Sequence, residues 1–418
     1  YKYFENDDSS EENKILDYDS EEIENKFRVE NVTRLNGYKF NFGGNLDYVT
    51  YKNSTQQKRF YGDGILNIDY NTGLNLVKWA VFGQASKNFL NERLALSLGI
   101  RADANNYSSS MNNLLDQFSP RFSASYNLTT QWSLNFNTGR YYQLPPYTSL
   151  GFKQDGVLVN KENDLKYISV DHLIGGLEYR PDQSILFTLE GFIKEYADYP
   201  YSVQDRISLA NKGADFGVVG DEEVISESEG RAFGAEFQTR INTQNGFNFN
   251  LSYTLVRSEF QNGGGEYIPT NWDSKHLLNL TTTKELKKGW RAGARWRFVG
   301  GLPYTPYDMD RSSLVEAWNL SGGPYLDFDN LNAKRYKPFH QLDVRVDKAF
   351  YLNKLTAKFY LDIQNLYNFQ AEQQDILVRE QNENGNYILT DNGTRYQLRR
   401  VDNTTGTVLP TIGIILEF

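Results

Sequence analysis

Apolar and polar residues alternate with a period of two along most of this 418-residue chain, the spacing of a strand with two unlike faces. From Tyr38 onward, Tyr38, Phe40, Phe42, Leu46 and Tyr48 are apolar or aromatic, and Lys39, Asn41, Asn45 and Asp47 lie between them. The pattern returns at Leu94, Leu96, Leu98 and Ile100 against Ala95, Ser97, Gly99 and Arg101. Phe247, Phe249, Leu251 and Tyr253 oppose Asn248, Asn250 and Ser252, and Ala292, Ala294, Trp296 and Phe298 oppose Arg291, Arg295 and Arg297. Pro410, Ile412, Ile414, Leu416 and Phe418 close the chain in the same phase, with Ile415 breaking the polar face.

Period alone does not separate a soluble sandwich from a wide barrel. In a sandwich the apolar face is the core, whereas in a barrel it meets lipid and the polar face lines a wet lumen. Strand length and punctuation separate them. The alternating runs are about 10–15 residues, longer than the usual 5–6 of globular sheets and suited to a tilted membrane span. Tight turns at Leu35-Asn36-Gly37, Leu90–Arg93, Thr129–Gln131, Pro181–Gln183, Leu286–Gly289 and Tyr351–Lys354 alternate with long polar connections at 51–73, 139–164, 198–228, 300–335 and 369–406. Short turns on one side and long loops on the other mark an outer-membrane barrel. Aromatics near strand ends, such as Tyr48, Trp132, Tyr179 and Trp290, fall where membrane girdles belong.

The reading is therefore all-β, a transmembrane antiparallel β-barrel with about fifteen strands in this chain. Residues 1–21 form an acidic extracellular loop segment, with ten Asp or Glu against two Lys among residues 1–25, and 22–418 form the barrel part. An odd number of antiparallel strands does not close with every neighbour antiparallel, so further strands are expected from a separate or continuous segment. A large barrel of about 22 strands would need about seven more.

Composition agrees. The chain carries 29 Tyr, 26 Phe and 33 Gly but two Met and no Cys, which excludes thiolate metal sites and a thiol nucleophile. Mean hydropathy of -0.61 is no argument against a barrel, where only alternate side chains meet lipid. A net charge of -9 gives no footprint for nucleic acid. His172, His276 and His340 are widely separated and read as strand or loop-end residues, not as metal ligands. Gly263-Gly264-Gly265 lacks the Lys-Ser/Thr of a phosphate loop. No catalytic residue, metal site or cofactor is expected.

Several segments carry a more specific likeness: Ser119-Pro120-Arg121-Phe122, Gly139-Arg140-Tyr141-Tyr142-Gln143-Leu144-Pro145-Pro146, Gly175-Gly176-Leu177-Glu178-Tyr179-Arg180, Gly234-Ala235-Glu236-Phe237, Gly300-Gly301-Leu302-Pro303-Tyr304-Thr305-Pro306, Gln341–Lys348 and Leu361–Asn368. In this order and spacing they resemble the C-terminal barrel portion of TonB-dependent receptors of the Bacteroidota type. The resemblance implies a receptor-transporter that imports a scarce ligand captured by extracellular loops. It also implies outer-membrane lipid around the barrel, an N-terminal plug with the first strands, a TonB complex reached through that plug, and a surface lipoprotein as a further candidate partner. The terminal Phe418 resembles the family's signal for the barrel-insertion machinery. A passive porin, a structural barrel and a secreted β-rich adhesin are the alternatives.

Two residue sets follow. Arg101, Asp103, Glu236, Arg291, Arg295, Arg297, Asp343, Arg345 and Asp347 are expected on the lumen side, because a charge facing hydrocarbon is expensive. The loop aromatics Tyr141, Tyr142, Tyr147, Tyr304, Tyr307, Trp318 and Tyr325 are candidates either for stacking on a ligand or for packing the loops together.

Overall fold

The computed structural model describes residues 2–4, 14–61, 64–212 and 221–418. Fifteen long strands carry the architecture. They are β1 (Lys14–Leu35), β2 (Tyr38–Tyr61), β3 (Gly64–Phe89), β4 (Leu94–Asn105), β5 (Phe118–Asn127), β6 (Trp132–Gln143), β7 (Ile168–Asp182), β8 (Ile185–Ser202), β9 (Val224–Asn242), β10 (Phe247–Gln261), β11 (Lys275–Glu285), β12 (Trp290–Val299), β13 (Phe339–Leu352), β14 (Leu355–Gln364) and β15 (Leu409–Glu417). With the short segments Lys2–Phe4 and Tyr267–Pro269 they form one 17-stranded sheet. Each long strand pairs antiparallel with the next in sequence.

The tight turns fix the register. Asn36 and Gly37 both adopt positive φ, 52° and 79°, the requirement of a two-residue hairpin turn that follows the strand twist. That turn sets Leu35 opposite Tyr38 and every pair above it. Because side chains alternate, the register then sorts the two faces across the whole sheet. One row runs Phe249, Thr282, Ala294, Val344, Ile363 and Pro410; the next runs Leu251, Leu280, Trp296 and Leu342. The neighbouring row on the opposite face runs Asn250, Thr281, Arg295 and Asp343. At the tight-turn end, Trp132, Tyr179 and Phe187 stack at 4.2 and 6.1 Å between centroids, a girdle segment on the apolar face.

The spans from Tyr51 to Gly73 differ from expectation. They are not an irregular connection: β2 and β3 stay paired to the Tyr61–Gly64 tip, giving strands of 24 and 26 residues. At about 3.3 Å per residue such a hairpin is roughly 80 Å long, far more than a hydrocarbon core of about 30 Å. Residues 16–21 of the acidic N-terminal segment pair with the same hairpin, Leu16 through Glu21 lying opposite Gln57 through Lys52; Tyr1 and residues 5–13 lie outside the described residues. The projecting strands persist because their inner positions, Tyr51, Asn53, Thr55, Thr72 and Leu74, are buried under other loops. Burial replaces the lipid that orders the lower half.

The two end strands behave differently from the rest. Among the described residues no register joins β1 to β15; β1 is paired along its length only with β2, and β15 only with β14. Lys2–Phe4 covers just the first residues of β1. Phe27 is 64 % and Ile412 80 % exposed.

The inverted faces lead to an asymmetric cost. Leu251→Arg in the apolar row should destabilise folding into bilayers by about 2–4 kcal/mol, and Asn250→Arg by far less. Equal penalties in a bilayer refolding titration would contradict this sorting.

Candidate functional site

Two regions hold the polar chemistry: the polar face along the strands and the loops at the long-connection end. On the polar face, Arg101 grips Asp103 two residues on with bonds of 2.8 and 2.6 Å. Arg345 holds Asp347 at 2.8 Å, lies 3.9 Å from Asp362 and sits 4.1 Å over the Tyr360 ring. Arg297 reaches Asp343 at 3.4 Å, and Gln341 donates to the same carboxylate at 2.6 Å. Arg295 donates to Asn279 at 3.3 Å. Arg291 lies opposite Asp347 and Glu285 in register. Arg291, Arg295, Asp343, Arg345, Asp347 and Asp362, with Thr281, Thr283 and Gln364, line an open recess of about 400 Å³. Glu236 stands apart, facing Glu190 across the ladder with no ion pair among the described residues. The structure thus gathers the six candidates on β12 and β13 and leaves Arg101–Asp103 and Glu236 elsewhere on the same face. Most of these ion pairs keep a fifth to a third of their surface open, so each contributes about 0–1 kcal/mol. They set a polar lining and add little to stability.

The opposite end obeys different rules. Val49, Tyr51, Leu74 and Leu76, on the inner side of β2 and β3, bury against Tyr107 and Met111 of 106–117, Leu150, Leu165 and Tyr167 of 144–167, and Leu209 and Val224 of 202–224. Three loops therefore share one apolar core beyond the membrane segment. Asn160, fully buried, ties them: its amide donates to the Ser149 carbonyl at 2.7 Å and the Glu222 carbonyl at 2.9 Å, and its oxygen accepts from the Val224 N–H at 2.8 Å. Arg59 reaches Asp221 at 2.6 Å; burial pushes the Asp221 carboxyl above the ordinary carboxylate range against the pull of that guanidinium. Burial likewise pushes the Tyr70 phenol up to about 12.

A second set of contacts ties the hairpin tip to loop 300–337. Phe60 and Ile15 pack on Ala317 and Leu320, and Arg311 donates to the Phe60 carbonyl. Segments far apart along the sheet thus meet, which requires the sheet to curl with its polar face inward. Loop 300–337 is anchored in turn by Asp273, fully buried. Its carboxylate accepts from Arg257 at 3.0 Å, from the Ser258 N–H at 2.9 Å and from Arg335. Arg335 also donates to the Gly301 carbonyl at 2.9 Å. Gly300 and Gly301 are required here, because a Cβ at either would run into the Ser274 or the Tyr336 carbonyl.

Most of the loop aromatics are used in packing. Tyr147 stacks on Tyr51 at 6.0 Å and bonds Glu24 and Lys78, and Tyr142 packs on the same core. Tyr304 stacks on Tyr336 at 4.3 Å. Trp318, 5 % exposed, buries with Leu377, Tyr396 and Tyr307. Tyr325 lies under Arg311 and donates to the Ala317 carbonyl at 3.2 Å. Tyr141 carries Arg121 4.3 Å over its ring on the inner face. The sequence reading missed Asp273, Arg335, Asn160 and Arg311, whose roles depend on partners more than ten residues away; the Gly300-Gly301 doublet was the one local signal. His276 and His340 bond the hydroxyls of Tyr253 and Tyr367 at 2.8 and 2.7 Å, and no metal-binding cluster of His, Cys, Asp or Glu occurs among the described residues.

A sheet with apolar outer and polar inner rows, tight turns at one end and interlocked loops at the other defines a membrane-spanning β-barrel. The chain belongs to the TonB dependent receptor-like, beta-barrel family, whose description matches residues 1–366. It is accordingly a β-barrel of the bacterial outer membrane. No curated protein matches it in sequence. Similar solved structures include the ferric citrate transporter FecA in unliganded form (12% identity, TM-score 0.56, 96% of this chain and 55% of that one). Others are the ferric-catecholate import receptor Fiu from K12 E. coli (12%, 0.58, 96% and 55%) and the copper transporter OprC (15%, 0.60, 96% and 57%). The chain spans about half the length of these proteins. At this identity the likeness is one of fold.

Leu150→Ala should loosen the shared loop core by about 2–5 kcal/mol, read as faster amide exchange in 106–117, 144–167 and 202–212 with β10–β14 unchanged. Asp273→Ala, which strands two guanidinium groups, should cost loop 300–337 about 3–5 kcal/mol, read as new protease cleavage there. Wild-type protection in either variant would contradict these anchoring roles.

Proposed function

We propose that this chain is the C-terminal barrel portion of a TonB-dependent receptor that imports a scarce ligand captured by its extracellular loops. The observation that carries this reading is the pair of open edges on β1 and β15. In hydrocarbon each unpaired backbone group costs several kcal/mol, so the barrel takes about seven further strands to close at about 22. Those strands and an N-terminal plug, through which a TonB complex is engaged, come from sequence outside the described sheet, in the same or a separate chain. Residues 16–418 form the wall in this reading, with the acidic stretch Leu16 to Glu21 as the outer end of β1 opposite Gln57 to Lys52. The half-length coverage of the similar transporters supports the same reading.

In this account Arg101, Asp103, Glu236, Arg291, Arg295, Arg297, Asp343, Arg345 and Asp347 line the lumen, where they pair with one another or with the plug. Ligand capture falls to loops 139–164, 198–228, 300–335 and 369–406, since the opposite turns are too short to form a pocket and binding residues concentrate on loops held by a rigid scaffold. Of the loop aromatics, Tyr325, which lines the recess beside the hairpin tip, is the one retained as a ligand contact. A surface lipoprotein could dock on these loops, and Phe418 serves as the insertion signal.

Disulfide trapping in the native envelope tests the edges. Cysteines placed together at Val29 and Ile412 should form no bond with one another, and a direct 29–412 disulfide would instead mean a barrel closed by this chain alone. Trimming the four loops should abolish ligand uptake and leave heat-modifiable membrane insertion intact; retained uptake would mean a nonspecific pore.

A further inference from the structure

The cavity between the hairpin tip and loop 300–337 holds a cation with no carboxylate partner among the described residues. It is a recess of about 580 Å³, within the range of small-molecule sites. Phe60, Tyr325, Phe328, Ile15 and Leu320 give it apolar and aromatic walls, and Arg311 is set among them. The Arg311 guanidinium lies 4.1 Å over the Tyr325 ring and 5.8 Å from Phe60. One terminal nitrogen is spent on the Phe60 carbonyl. Its Nε is buried with no hydrogen-bond partner, and among the described residues no carboxylate pairs with this charge. The nearest acids in sequence are engaged elsewhere: Asp310 pairs with Arg395 at 3.2 Å, and Asp308 caps the 309–313 helix by accepting from the Arg311 backbone N–H at 2.9 Å.

The other charges around the recess are compensated. Arg59 is paired with Asp221, and Asp205, the carboxylate on the wall, is paired with Lys212. Leaving a buried donor of a charged group unmade costs about 1–3 kcal/mol or more, and a planar guanidinium fork is suited to bidentate capture of an oxyanion. Cation–π contacts with Phe60 and Tyr325 hold the fork in place but make no hydrogen bond to Nε.

We propose that Arg311 is the anchor of a binding site for a small aromatic carboxylate, whose carboxylate meets the guanidinium and whose ring lies on Phe60, Tyr325 and Phe328. The proposal rests on the receptor reading and adds to it the chemical class of the ligand. Because hairpin and loop each supply a wall, occupancy also ties the β2–β3 tip to loop 300–337.

The test is calorimetric titration of the full-chain protein in detergent with benzoate, with neutral benzamide and with inorganic phosphate. Uptake is not read, so a failed transport reading leaves this result standing, and heat-modifiable migration checks that each variant is folded. Benzoate should bind about tenfold or more tightly than benzamide, the equivalent of one hydrogen-bonded charge, and more tightly than phosphate. Arg311→Gln should erase the preference for benzoate over benzamide, and Arg311→Lys should keep part of it. Equal binding of benzoate and benzamide to the wild type would overturn the anchor role, as would an unchanged preference in folded Arg311→Gln. Phosphate binding as tightly as benzoate would overturn the aromatic part. The wild-type comparison stands even if a variant fails to fold.

Discussion

Within a bilayer no water competes for backbone N–H and C=O groups, so every one must find a partner in the protein. That constraint explains the continuous antiparallel pairing from β1 to β15 and the confinement of register shifts, as at Tyr179–Asp182 and Ser226–Gly230, to the strand ends. It also fixes the faces, because with the backbone fully committed only side chains remain to meet lipid on one side and water on the other. The row Leu251, Leu280, Trp296, Leu342 and its neighbour Asn250, Thr281, Arg295, Asp343 are the outcome. The sheet is stabilised by its solvent outside rather than by a core inside. Ion pairs such as Arg345–Asp347 contribute little energy there and serve to make the interior polar.

Above the membrane the ordinary rules of soluble proteins return. The projecting half of β2 and β3 has no lipid, so it is ordered by burying Val49, Tyr51, Leu74 and Leu76 under loops carrying Met111, Leu150 and Leu165. Two buried polar groups there anchor the loops: Asn160 spends three hydrogen bonds and Asp273 collects two arginines. Such loops are scaffold rather than flexible rim.

How much of this was legible in sequence follows from which interactions are local. Alternation, hairpin turns such as Asn36-Gly37 and the segregation of short and long connections depend on neighbours in sequence, and they were enough for the strand order and the two faces. The extension of β2 and β3 through residues 51–73 was not, because a polar strand such as Lys52–Lys58 reads as loop until the loop that covers it is known. The candidate ligand aromatics show the same limit. Trp318 and Tyr307 look identical in sequence to a stacking platform, and only Leu377 and Tyr396, some sixty to ninety residues away, assign them to packing. The charged candidates on β12 and β13 were found together because parity, a local property, places them.

The central claim is an inverted sheet, apolar outward and polar inward, and it is tested most directly by solvent accessibility along one strand. The chain has no cysteine, so single cysteines from Phe247 to Thr254 can each carry a nitroxide in the bilayer-embedded protein. Collision with dissolved oxygen should peak at Phe249, Leu251 and Tyr253, and collision with a polar nickel reagent at Asn248, Asn250 and Ser252. A uniform profile, or the same alternation in the opposite phase, would contradict the account.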